Sequence, residues 1–314
     1  MNKKFELLLD DTITIFGIKL FRIKALISFG SVEEGELGGY IEKEDNLSFY
    51  GNARVYGDAR VSGNAMVYGD ARVSGNAEVY SNAEVYGDAM VYGDARVSGN
   101  AWVYSNAMVS GNAEVSGNAE VYSNAEVYGD AMVYGDAMVY GDAMVSGNAE
   151  VYGDAMVYGD AMVYGDAMVS GNAEVYGDAM VYGDAMVYSN ARVYGDARVS
   201  GDARVSGDAM VSGNARVYGD ARVYGDARVS GNAEVSGNAE VYSNADYIVF
   251  KNHWSSGRYF TYTKSNKMWR VGCFYGTGQE LIKKAYQDSE VSGKHYEAYV
   301  EFVEKLEKLE EAND

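Results

Sequence analysis

From residue 53 onward the chain repeats one small apolar residue, one variable residue, one aliphatic residue and one aromatic or polar residue, and then turns. Written A-x-V-y-G-z, this hexad places Ala at every sixth position from Ala53 to Ala245, 33 times in a row. Val follows the same period from Val55 to Val241, 32 times, and no insertion breaks the register. Ala and Val are two residues apart, so they share one face of an extended segment, with x and y on the other. The G-z pair, usually Gly-Asp or Gly-Asn, makes a corner from residues that tolerate positive φ. The pattern predicts a strand of about four residues per hexad, apolar inward, followed by a two-residue corner.

So short a strand buries nothing alone, and stacked copies must supply the core. The absence of proline fits, because inner rungs need every N–H for the ladder. At five corners Ser replaces Gly (Ser81, Ser105, Ser123, Ser189, Ser243), and the next residue is then always Asn. This pairing predicts that Asn carries the left-handed conformation there.

The stretch YGDAMVYGDAMVYGDAM at 128–144 and its variants resemble the hexapeptide repeat of left-handed parallel β-helix proteins. The resemblance covers about residues 47–246. It implies a triangular coil of three hexads, so about 11 coils of 18 residues and a prism on the order of 50 Å long. Left-handedness comes from the resemblance alone, because general crossover physics favours the right hand. The flanks, "LFRIKAL", "GELGGYIE" and "VGCFYGTGQEL", look like those of uncharacterised phage, prophage and bacterial members with a small C-terminal α/β domain.

The expected fold is mainly β: an N-terminal β cap (1–46), the β-helix (47–246) and a C-terminal α+β domain (247–314). Leu47 and Phe49 fall in the Ala and Val slots and start the first coil. Strands are expected around Phe16-Gly17, and in "DYIVF", "RYFTYTK" and "MWRVGCFY", the last two joined by a turn at Ser265-Asn266-Lys267. Two helices are expected from Gly278 onward.

Steps of 18 place Tyr68, Tyr86, Tyr104, Tyr122, Tyr140, Tyr158, Tyr176 and Tyr194 in one outward column, about 33 Å of ladder. The x positions between Ala131 and Asn190 hold Met132, Met138, Met144, Met156, Met162, Met168, Met180 and Met186 with two Glu. Arg occupies x only towards the ends. An exposed belt of Met and Tyr marks an interaction surface, and Met suits adaptable contacts. Stacked aromatics also stabilise cross-β ladders internally, so a purely scaffolding role stands beside this reading.

Charge narrows the partners. Residues 51–246 carry 10 Arg and no Lys against 18 Asp and 9 Glu, a net −17 of the chain's −20. Such a surface repels phosphate backbones and argues against direct nucleic-acid binding. It also permits an alternative, an acidic nucleic-acid mimic occupying a basic groove. The one cysteine, Cys273, excludes an intrachain disulfide, and no leader or membrane span is read in MNKKFELLLDD, so a cytoplasmic location is expected.

Many hexapeptide β-helices are acyltransferases, and the resemblance implies for those a His base and a loop interrupting the coils. This array has neither, since His253 and His295 lie in the tail. Cys273 beside either His is a weak nucleophile pair, and no phosphate loop or zinc spacing is present. Asp142, Asp160, Asp178 and Asp196 stack on one edge, and Asp166, Asp184, Asp202 and Asp220 on another. Ca²⁺ would relieve their repulsion, yet Asn replaces Asp freely in these columns and turn chemistry explains both. The array holds no Thr, which removes ice binding through Thr ladders. The expectation is a non-enzymatic protein without cofactor or metal, binding a protein partner, itself or both, as a phage-encoded modulator of a host or defence protein.

Overall fold

A computed structural model describes residues 3–312. Met1 and Asn2, which open the stretch read for a leader, and Asn313 and Asp314 at the end of the expected tail lie outside the described residues. The protein is a parallel β-solenoid of about 11 turns. Short strands recur at every hexad from Arg54–Val55 to Glu240–Val241. Each pairs in parallel with the strand 18 residues on, as in Met138↔Met156 and Val139↔Val157. Three sheets result. Face I runs from Arg60 to Glu240, face II from Arg54 to Glu234, and face III from Met66 to Arg228.

Ala53–Ala239 and Val55–Val241 at the hexad positions are at most 1% exposed and form one continuous core. Each buried Val contributes on the order of 1.5 kcal/mol. Ala keeps the column narrow enough for three walls to meet. Ala245 breaks the series: it is exposed, inside a 3-10 turn at Asn244–Asp246.

The corners correct the expectation about Asn. Glycines from Gly51 to Gly237 hold φ between +64° and +77°, and Ser81, Ser105, Ser123 and Ser189 hold +60° to +64° in the same place. No Asn is left-handed among the described residues. The first corner residue takes this conformation whatever its identity, because stacking fixes the turn. Ser243 instead caps the 3-10 turn with φ −139°.

The ladder has a direction, and the direction dictates the caps. Arg54 N donates to Ala71 O and Tyr56 N to Val73 O, so each coil donates to the following one. The first coil therefore offers carbonyls and the last offers N–H groups. Donors cover the N-terminal end. The buried Lys4 ammonium reaches Ala53 O at 2.8 Å and Gly51 O at 3.2 Å. Asn46 Nδ2 reaches Ala65 O at 2.8 Å and Gly63 O at 3.2 Å. Acceptors cover the other end: Glu234 N donates to Thr261 Oγ1, Glu240 N to Ser265 Oγ and Arg228 N to Asn244 Oδ1.

The N-terminal strands β1 (Phe5–Ile15) and β2 (Ile18–Ala25) form an antiparallel hairpin about Phe16-Gly17. Strand β3 (Leu37–Ile41) then joins face I in parallel, Ile41 opposite Val61. Leu47 pairs with Val67, so it fills a Val slot rather than the expected Ala slot. Phe49 leaves the register and stacks on Phe5, ring centroids 4.7 Å apart. Rungs thus begin at β3, inside the stretch read as cap.

The tail has a four-stranded antiparallel sheet, Tyr247–Lys251, Tyr259–Thr263, Met268–Val271 and Phe274–Gly276. The expected third strand is two, split where Gly272 turns with φ +56°. Helices α1 (Gly278–Asp288) and α2 (Glu290–Glu311) pack Leu281, Tyr296 and Val300 against Phe260 and Trp269. No helix among the described residues is long and apolar enough to cross a membrane.

Candidate functional site

The eight tyrosines of the ladder lie on face III. Their rings stack at centroid spacings of 4.8 to 5.0 Å with interplanar angles of 1° to 6°. Shorter stacks, Tyr134–Tyr152 and Tyr164–Tyr182, occur on faces I and II. The spacing is that of the rungs, so the backbone ladder imposes it. Stacking covers ring faces: Tyr80, Tyr92 and Tyr128, each with Ser in the rungs before and after, are exposed, whereas the eight in the ladder are half-buried.

The rings lean toward the next coil. Tyr68 OH donates to Glu84 at 2.7 Å, Tyr104 OH to Glu120 at 3.1 Å and Tyr158 OH to Glu174 at 3.2 Å. The other faces repeat this in Tyr134–Glu150, Tyr218–Glu234 and Tyr224–Glu240. Wherever x sixteen residues after a Tyr is Glu, the bond forms. Burial first, and then these carboxylates, raise the phenol pKa of Tyr68, Tyr104 and Tyr158 well above the ordinary value. Tyr134 is pushed up to about 12 by the same causes.

The eight central methionines are half-buried and divide among the faces. Face III carries Met138 and Met156, next to the Tyr ladder. Face II carries Met144, Met162 and Met180 on consecutive rungs, and face I carries Met132, Met168 and Met186. They girdle the prism rather than form one flat patch, and neighbouring rungs leave them less open than the expected exposed belt.

The corners carry a second ladder that the sequence reading missed. Asn side chains donate Nδ2 to the Asx oxygen of the following coil, as in Asn64→Asn82→Asn100→Asn118→Asp136. Asp accepts but passes nothing on. The signal was present in the fixed 18-residue spacing of Asn. The two Asp columns lie at exposed corners, and no group of three or more ligand-type side chains among the described residues is placed to hold a metal ion.

Cys273 and the histidines are apart in their contacts. His295 stacks on Trp254, ring centroids 4.4 Å apart, and His253 packs edge-on against both. Exposed Cys273 lies in the Gly272 turn, lining a cleft against face II. No hydrogen bond joins it to either His among the described residues.

Fold and surface together define a β-solenoid repeat protein. Residues 59–75, 83–99, 89–105, 125–141, 149–165, 191–207, 203–219, 209–225, 215–231 and 221–237 match the model of the YdcK beta solenoid repeat. No curated protein matches the chain.

Proposed function

We propose that the chain is a non-enzymatic interaction protein whose solenoid presents the Tyr ladder and Met girdle to a second copy of itself or to another protein. The observation that carries this reading is the ladder: eight parallel rings at one fixed spacing on one face. A periodic surface is matched best by a surface of the same period, and a second copy has it by necessity. Two such faces make a self-complementary two-fold contact. Flat aromatic surfaces supply contact area at low entropic cost, and Met adapts its shape to what it meets. We extend the reading to a left-handed helix of the hexapeptide type, a cytoplasmic setting and a phage-encoded modulator of a host or defence protein.

Light scattering tests it with wild type and a Tyr122→Ser/Tyr140→Ser/Tyr158→Ser variant. Ser occupies y at other rungs, so the fold tolerates it. An oligomer that becomes a folded particle of 34.1 kDa supports self-association. A wild-type monomer refutes the self-pairing form.

The acidic-mimic reading draws support from the unbroken column Asp142, Asp160, Asp178 and Asp196, which contains no amide donor. Partner binding of that kind weakens steeply with added salt, and binding through the ladder does not.

A further inference from the structure

The prism carries Arg at x towards both ends, and the larger group forms a collar near its C-terminal end. There x is Arg at Arg192, Arg198, Arg204, Arg216, Arg222 and Arg228, on all three faces. On face II the tail folds over this collar and leaves a cleft of about 690 Å³. Four guanidinium groups line it: Arg198 and Arg216 from the solenoid, Arg258 and Arg270 from the tail. Glu234 is the one carboxylate in its walls, and it is engaged twice. Arg270 Nε lies 3.4 Å from it, and Tyr218 OH donates to it at 3.2 Å. Arg198, Arg216 and Arg258 have no ion-pair partner among the described residues. Four arginines around a single carboxylate repel one another, and in a chain of net −20 the arrangement leaves anion-binding capacity unused.

The same cleft contains a gap in the aromatic stacking. The y column of face II reads Tyr164, Tyr182, Ser200, Tyr218. Tyr164 and Tyr182 stack at 5.0 Å and 2°. Ser200 then supplies no ring. Two rungs at about 4.8 Å each separate Tyr182 from Tyr218, which is room for one flat ring between them. Arg198 and Arg216 hold the x positions beside this gap, and the guanidinium of Arg270 lies 5.1 Å from the Tyr218 ring centroid.

We propose that this cleft binds a nucleotide, its flat heteroaromatic ring in the Ser200 gap and its phosphates on the guanidinium groups. Planar guanidinium forks match phosphate oxygens in pairs, and phenol faces accept a base of any kind. The volume is that of a small-molecule site. A long nucleic-acid strand is disfavoured, because beyond the collar it meets the Asp and Glu of the prism. The proposal is independent of self-association through face III.

A second site supplies an internal control. Face I has the same triplet, Tyr188, Ser206 and Tyr224, with Arg204 and Arg222 beside it, in a smaller cleft of about 380 Å³. No tail residue lines it, and Arg222 is already 3.6 Å from Glu240.

The test is calorimetric titration of the full chain with ATP and, separately, inorganic tripolyphosphate, at near-physiological salt so that the overall negative charge is screened. Saturable ATP binding is expected, with tripolyphosphate about tenfold weaker or more. Arg198→Ala/Arg216→Ala should weaken ATP by about tenfold or more, and Arg204→Ala/Arg222→Ala should not. Ser200→Tyr, which restores the missing ring and is compatible with the fold, should abolish ATP binding. No saturable binding by wild type overturns the proposal. So does unchanged binding by Arg198→Ala/Arg216→Ala or by Ser200→Tyr. Equal affinity for tripolyphosphate overturns it too, since the ring gap then has no role.

Discussion

The hydroxyl of Tyr68 donates to a carboxylate oxygen of Glu84, sixteen residues along the chain and one coil on. The same step joins five further Tyr–Glu pairs on three faces. In the ladder Tyr104 and Tyr158 are thus held at both ring faces and at the hydroxyl, which stiffens the surface around them.

This hold has a pH signature. Burial and the Glu150 carboxylate push the Tyr134 phenol up to about 12. A raised folded-state pKa means that the contribution to stability is complete below the unfolded phenol value of about 10. It is lost as pH rises from there towards about 12, because the unfolded chain gives up its protons first. Chemical denaturation at about pH 9 and about pH 11 should show lower stability at the higher value, with the wild type losing more than a Glu150→Gln variant. Equal losses in the two proteins contradict the coupling.

Lys4 carries the opposite sign. Burial lowers its pKa from 10.5 to about 8, against the attraction of Asp70. Its folded form releases a proton that the unfolded chain keeps, so this site adds stability as pH rises from about 8 to 10.5. Lys4→Met leaves the Gly51 and Ala53 carbonyls without their donor and should cost about 1–3 kcal/mol near neutral pH. The variant should also lose the upward slope above about pH 8 in denaturation series.

Ser-Asn corners combine strain with a tie. Ser81, Ser105, Ser123 and Ser189 are left-handed, and the Asn after each one donates its amide to the next coil. Asp has no such donor, which accounts for Asn at these four corners, whereas Asn244 after Ser243 accepts from Arg228 N. Ser81→Gly should raise stability by about 1 kcal/mol. Asn82→Asp should lower it by a similar amount, and less in the Ser81→Gly background. Additive effects in this double-mutant cycle contradict the compensation.

At the C-terminal end, Thr261→Val removes the acceptor for Glu234 N. Stability should fall by about 1–3 kcal/mol. Hydrogen exchange should quicken at the Glu234 amide while amides in the middle coils stay unchanged. A uniform change along the solenoid contradicts a local cap.

The core was legible because Ala and Val alternate with period two inside a period of six, and only stacking buries such a pattern. Register at the first coil was not legible. Two extra residues between Leu47 and Ala53 shift Leu47 from the Ala to the Val slot, and nothing in the apolar pattern marks them. The Ser corners were misread because Asn is the better left-handed residue in isolation, whereas the stack fixes which position must turn. The Tyr column was found by stepping 18 residues, but its bonds to Glu needed the lean of the rings. The Arg cleft lies between x positions of face II and a tail whose placement no periodicity encodes.

The central claim is that a second copy of the chain covers face III in the working particle. Peroxide oxidation followed by mass spectrometry measures this directly, because Met66, Met138 and Met156 lie on that face and Met66 stands at its N-terminal end, 40% exposed. Slow oxidation of Met138 and Met156 relative to Met66, with the protection lost on dilution, is the expected result. Rates at Met138 and Met156 that do not change with protein concentration, in a particle of single-chain mass, contradict it.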